Sequence, residues 1–157
     1  MSRPCWLPLV CSIPPSPADV SAVELALAAA RERIRPRMGV EGLETAVREG
    51  ALVVDTRPAD LRQRDGPLAN AVVVERNVLE WRLDPSCPHR LAEAHDRARK
   101  VIIVCDEGYA SSLAASALLD LGLTNVTDLE GGYQAWRSYQ RARPVPPTRT
   151  GGDGLLL

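Results

Sequence analysis

The chain has 157 residues, enough for one domain with short extensions. Its composition, 45% hydrophobic and 25% charged, suits a globular protein, and with no Phe the core must be filled by aliphatic side chains. A formal net charge of -1 gives no electrostatic reason to expect nucleic acid or an anionic membrane as partner.

Residues 1–17 hold a short apolar patch broken by Pro4, Pro8, Pro14 and Pro15, too brief for a signal core, and are expected to form a flexible tail. No stretch approaches the roughly 18 apolar residues of a membrane span. Cys5, Cys11, Cys87 and Cys105 form no C-x-x-C pair, and Cys87, His89 and His95 fit no common metal spacing. These features lead us to expect no metal, a reducing compartment and a cytoplasmic location.

Residues 18–142 are expected to form one domain, beginning with a helical extension over 18–36. Val20, Val23, Leu25, Leu27 and Ile34 have helical spacing within Ala18–Arg35, and Pro36 stops the run. A second short helix is predicted over Val40–Glu49, with Gly50 at its C′ position. The period then changes. Ala51–Asp55 is a short apolar run of the kind buried in a sheet, and Ala71–Val74 repeats it. Asn77 and Glu80 have capping-box spacing before a short helix, Val78–Leu83, closed by Pro85. His89–Arg99 is polar and helix-compatible. Val101–Val104 reads as a strand, Ser111–Leu121 as an Ala/Leu-rich helix ended by Gly122, Val126–Leu129 as a strand, and Tyr133–Arg141 as a last helix. Residues 143–157, rich in Gly and Pro, are expected to form a second flexible tail.

Alternating strands and helices make βαβ units, hence an α/β fold with a parallel sheet covered on both faces. Ligands bind beyond the carboxyl ends of such strands, and Cys105 lies at one of those ends. A tight loop over Cys105, Asp106, Glu107, Gly108, Tyr109 and Ala110 could turn backbone N–H groups toward the sulfur. Gly108 would permit the close approach, and the helix opening near Ser111 would add the positive end of its dipole. Both effects favour thiolate, the nucleophilic form, with no adjacent histidine. The alternative is an inert cysteine ending a buried strand.

Three segments, "VVDTR" (Val53–Arg57), "VIIVCDEGYAS" (Val101–Ser111) and "LLDLGLTNVTDLEGGYQAW" (Leu118–Trp136), occur in an order and spacing that resemble the rhodanese family of sulfurtransferases over about residues 37–142. The resemblance implies a rhodanese-like α/β domain whose small parallel sheet has about five strands with helices on both faces. It implies that Cys105 takes a sulfane sulfur from a small donor, such as thiosulfate, mercaptopyruvate or a persulfide. A persulfide then forms on the cysteine and passes its outer sulfur to a thiol, a protein thiol included, or to cyanide. No cofactor is implied, and neither nucleic acid nor membrane is an expected partner.

The sequence departs from the family pattern in three places. Many active members carry a basic residue where Ala110 stands, the first loop positions here are Asp106 and Glu107, and the segment that often holds a loop histidine reads "DGPLANA" (Asp65–Ala71). Arg76 could supply the missing positive charge; it could equally pair with Glu75 or Glu80. Asp55 and Arg57 are expected to support the loops structurally, Ser111 and Ser112 to cap the helix, Trp81, Tyr133 and Trp136 to pack, and Tyr109 to line the pocket mouth. Cysteine-loop phosphatases of related fold need an Arg at the position of Ser111, which disfavours phosphate chemistry. The stronger alternative is a non-catalytic or redox-sensing rhodanese-like module that binds a protein partner.

Overall fold

The computed structural model describes residues 21–143. Cys5, Cys11, the first residues of the predicted opening helix and nearly all of both predicted tails lie outside them.

Helix α1 spans Ala22–Arg33. Ser21 caps it in a reciprocal box with Glu24, satisfying backbone N–H groups at both positions. A single 3-10 turn, Val40–Gly42, leads into α2, Leu43–Arg48. The α2 helix ends in a Schellman motif: Gly50 N–H donates to Val47 O and Ala51 N–H to Ala46 O, with Gly50 at φ +92° as anticipated. Strand β1 (Leu52–Asp55) follows, then α3 (Ala59–Asp65), β2 (Ala71–Val73), a 3-10 turn (Arg76–Val78) and α4 (Leu79–Leu83). Strand β3 (Val101–Val104), α5 (Ala110–Asp120), β4 (Val126–Asp128) and α6 (Gly132–Ala142) complete the fold.

The sheet is parallel, in the order β2-β1-β3-β4. Among the described residues it has four strands where about five were expected, with a one-residue bridge, Met38 to Leu129, beside β4. Side chains alternate between two cores. Leu52, Val54, Val101 and Ile103 pack with Leu79, Leu83, Ala114 and Leu118 on one face; Val53, Ile102 and Val104 pack with Leu43, Ala46, Leu129 and Tyr133 on the other. β1 and β3 are buried at every position, which explains why Leu52–Val54 and Val101–Val104 read as unbroken apolar runs; Asp55, which ends β1, is buried as a charged residue.

Three expectations are corrected. The Asn77–Glu80 capping box does not form: Val78 is the N-cap of α4 without a side-chain bond, and Glu80 binds Arg76 instead. His89–Arg99 is a succession of turns, because Asp96 accepts from Ala98 N–H and Ala94 alone in the segment is buried. Trp81 is 58% exposed on α4, so it is not a core residue. Helix α3 had no sequence expectation.

Candidate active site

The chain reverses strand order between β1 and β3: β2 is added on one side and β4 on the other. The crevice at such a switch point is where α/β folds bind ligands. Here it opens into a pocket of about 330 Å³ lined by Thr56 and Pro58 after β1, Arg76 after β2, and Cys105–Glu107, Tyr109 and Ala110 after β3. A larger groove near Leu43 and Trp136 holds no nucleophile.

Cys105 is 8% exposed, at the pocket floor. Its Sγ accepts from Gly108 N–H at 3.2 Å and Ser111 N–H at 3.3 Å, and lies 3.2 Å from Ser111 Oγ. The loop keeps its N–H groups inward because its carbonyls are engaged outside. Cys105 O accepts from Tyr133 N–H and Asp106 O from Gln134 N–H, both in the first turn of α6. Gly108 O accepts from Arg31 Nη2 at 2.9 Å, Ser112 Oγ at 3.1 Å and Arg37 Nη2 at 3.3 Å. Glycine is required at two contacts. A Cβ on Gly132 would sit 2.6 Å from the carbonyl oxygens of Cys105 and Asp106, and one on Gly108 (φ +79°) would meet Gly131 N at 2.8 Å.

Beneath the loop, Asp128 at the end of β4 is fully buried. Arg37 grips its carboxylate with two bonds, at 2.7 and 2.9 Å, and Asp128 in turn holds the guanidinium's pKa above its ordinary value. Ser111 Oγ and Ser112 Oγ also reach Asp128, at 3.0 and 2.7 Å. Ser111 and Ser112 are therefore not caps. They lie inside α5, whose N-cap is Tyr109 with no side-chain bond.

The sequence profile of the rhodanese-like domain matches residues 40–139. The chain belongs to the rhodanese-like domain family. "Rhodanese-like domain-containing protein 15, chloroplastic" of Arabidopsis thaliana is 36% identical over 53 residues, 34% of this chain and 29% of that protein, so the match spans under a third of the relative's length. Among solved structures, a protein of unknown function and possible tyrosine phosphatase from Rhodopseudomonas palustris is 26% identical, with a TM-score of 0.69 over 85% of this chain and 99% of that one. A rhodanese-related protein from Thermoplasma volcanium shares the fold, with a TM-score of 0.50 and 24% identity over 70% of this chain and 96% of that one.

In this rhodanese-like domain the remaining predicted residues divide into lip and support. At the lip, Tyr109 is 56% exposed with Arg31 over its ring, and Glu107 and Ala110 are exposed. Asp106 Oδ1 accepts from Gln134, whereas Arg76 lines the pocket with its guanidinium paired to Glu80 at 2.8 Å, the ion pair that was the second of the two readings considered for it. Asp55 and Arg57 form a buried ion pair at 2.7 Å, outside the pocket lining. Arg57 also donates to Gly66 O and stacks 3.4 Å above the centroid of the Tyr133 ring, and among the described residues its Nη1 has no hydrogen-bond partner. Tyr133 in turn donates to Asp65 O, tying the altered "DGPLANA" segment to α6. Tyr133 is buried and Trp136 half-buried, both in the core.

Arg31, Arg37 and Asp128 were not singled out from sequence. The two arginines lie more than seventy residues from the loop they touch, and nothing local marks the contact. Among the described residues no helix is long and apolar enough to cross a membrane.

Proposed function

We propose that the protein is a sulfurtransferase working through a persulfide on Cys105. The observation that carries this reading is the sulfur at a pocket floor, met by two backbone N–H groups and enclosed by a loop whose carbonyls are bound outside. Such an arrangement stabilises negative charge on sulfur without a general base, as an oxyanion hole does for oxygen. In the first half-reaction the Cys105 thiolate, its proton lost to solvent, attacks the sulfane sulfur of the donor. With thiosulfate or a persulfide, a sulfur–sulfur bond forms as the donor's own breaks, and the electron pair leaves with sulfite or a thiolate; with mercaptopyruvate the carbon–sulfur bond breaks and the pair leaves as the enolate of pyruvate. In the second, an acceptor thiolate attacks the outer sulfur and carries it away as a persulfide, returning Cys105 to thiolate. No redox partner or cofactor is consumed.

The lip sets the donor class. Asp106 and Glu107 line the pocket, and Arg76 is neutralised by Glu80, so a dianion such as thiosulfate meets net repulsion at the lip. A singly charged low-molecular-weight or protein persulfide fits better, with a thiol as acceptor and the cytoplasm as the setting in which a free thiol persists.

Intact mass after incubation with thiosulfate, mercaptopyruvate or a small persulfide tests the proposal. The expected result is a gain of one sulfur atom, largest with the persulfide and absent in Cys105→Ala. If no donor modifies the wild type, transfer gives way to the protein-binding module, for which the acidic lip and Ala110 argue. The possible phosphatase among the structural neighbours adds one arm. Cys105-dependent hydrolysis of p-nitrophenyl phosphate would replace sulfur transfer with phosphate chemistry; Ser111 where a phosphatase loop needs Arg leads us to expect none.

A further inference from the structure

Arg31 and Arg37 precede residue 40, where the family match begins, yet both reach the active-site loop. We propose that these two arginines are positioning residues for the sulfur cradle, performing from the N-terminal segment the electrostatic bracing that the loop lacks at Ala110.

The geometry works through one peptide group. Gly108 O accepts from Arg31, Arg37 and Ser112. In a trans peptide the carbonyl and the following N–H point in opposite directions. Fixing Gly108 O toward α1 therefore turns the Tyr109 N–H away from α1, and among the described residues that N–H has no acceptor. It is left for the charged outer sulfur of a persulfide. The same bracing fixes Gly108, whose own N–H already meets Sγ at 3.2 Å. Gly108, at φ +79°, has no side-chain packing of its own to hold this orientation, so charge-assisted bonds from outside must supply it.

Arg37 has a second task. Asp128 is buried and separated from the cysteine sulfur by the single hydroxyl of Ser111. Unpaired, that carboxylate would oppose negative charge on the sulfur; the bidentate Arg37 cancels it. Arg31 also anchors the pocket rim through the Tyr109 ring, 5.4 Å from its guanidinium carbon. Arg33, on the same helix, instead pairs with Asp120 and Ser116 at the far part of α5 and supplies a natural control.

The test follows alkylation of the Cys105 peptide by mass, apart from those of Cys5, Cys11 and Cys87, with neutral iodoacetamide on the full chain at one fixed pH, and thermal melts confirm folding. Arg31→Met keeps the apolar stem and removes the bonds. Its alkylation rate constant should fall on the order of tenfold, the loss of one hydrogen bond from a charged donor. Arg31→Lys should recover most of that, and Arg33→Met should match the wild type even if it melts lower. Arg37→Met is paired with Asp128→Asn so that no buried charge is stranded; with the carboxylate also gone, only the lost bond to Gly108 O slows alkylation, by less than in Arg31→Met, and a rate at or above the wild type's overturns the part given to Arg37. A wild-type rate in Arg31→Met, or an equal loss in Arg33→Met, overturns the proposal. Its transfer consequence, a lower kcat at nearly constant KM for Arg31→Met, rests on the sulfurtransferase reading. Should no donor load the wild type, that reading fails while the alkylation comparison still decides the role of the arginines.

Discussion

Two glycines show how closely the cradle is built. Gly50 and Gly132 both have positive φ, but a Cβ on Gly50 would touch nothing within 4 Å, whereas one on Gly132 would strike two loop carbonyls at 2.6 Å. Gly50→Ala should therefore cost about 1–2 kcal/mol, the strain of a left-handed conformation alone. Gly132→Ala adds a backbone clash and should cost more in urea unfolding, while also slowing alkylation of Cys105; equal costs would show that the α6 turn is looser than it looks. At the lip the controlling feature is charge. Ala110 is exposed and lines the pocket, so Ala110→Arg can add a cation without disturbing the core. On the proposed function it should raise kcat/KM for thiosulfate by about tenfold at low salt, equivalent to about 1.4 kcal/mol, and less at high salt. A gain that ignores ionic strength would mean the acids are not what repels the dianion. Cys105, its loop, Asp55 and Arg57 were legible because they sit within short contiguous motifs. Arg31, Arg37 and Asp128 were not, since their meaning comes only from contacts across 16 to 91 residues of sequence.

Elements were legible in proportion to how much they bury. β1 and β3 are buried at every residue and stand out through the apolar runs Leu52–Val54 and Val101–Val104, the second entirely β-branched; α5 buries six of its eleven residues and stands out as an Ala/Leu run. Helix α3 buries none, so Ala59–Asp65 carries no apolar period to read. The polar stretch 89–99 fails in the opposite sense: its composition permits a helix, but with only Ala94 buried no tertiary contact repays ordering one. The same logic gives a stability contrast within α5. Leu118 is fully buried between helix and sheet, whereas Leu113 is 36% exposed. Leu118→Ala should cost about 2–5 kcal/mol through lost burial and the cavity left behind. Leu113→Ala should stay within about 0.5 kcal/mol. Because neither residue lies in the loop or lines the pocket, alkylation of the folded fraction should be unchanged in both; a slowed thiol in Leu118→Ala would show that helix packing and loop geometry are coupled.

At the scale of the whole molecule, Asp65 joins segments that the sheet alone does not hold together. Its side chain is 3% exposed, and it binds Arg64, Gln134 and Arg137 while its carbonyl takes the Tyr133 hydroxyl. The α3 terminus, the "DGPLANA" segment and α6 thus meet at one carboxylate. The Arg64 hydrogen bond above all, then that of Gln134, hold its pKa well below the ordinary carboxylate range, with the charges of Arg137 and Arg64 adding to the effect. A folded-state pKa below the unfolded one means that the unfolded chain binds protons more readily, so acid favours unfolding. The contribution is complete above the unfolded value of about 3.9 and is lost as the pH falls below it toward the depressed folded value. Urea midpoints taken from about pH 6 down to about pH 3 should therefore fall in the wild type and fall less steeply in Asp65→Asn, which starts lower but has no proton to gain there. Glu44, Asp84 and Asp120 are also depressed by their partners and add to the wild-type slope, so the difference between the two curves is the measure. Parallel curves would mean that the Asp65 cluster is as well satisfied by water in the unfolded chain as by arginine in the folded one, and that α6 is held to the loop by the Tyr133 and Gln134 amides alone.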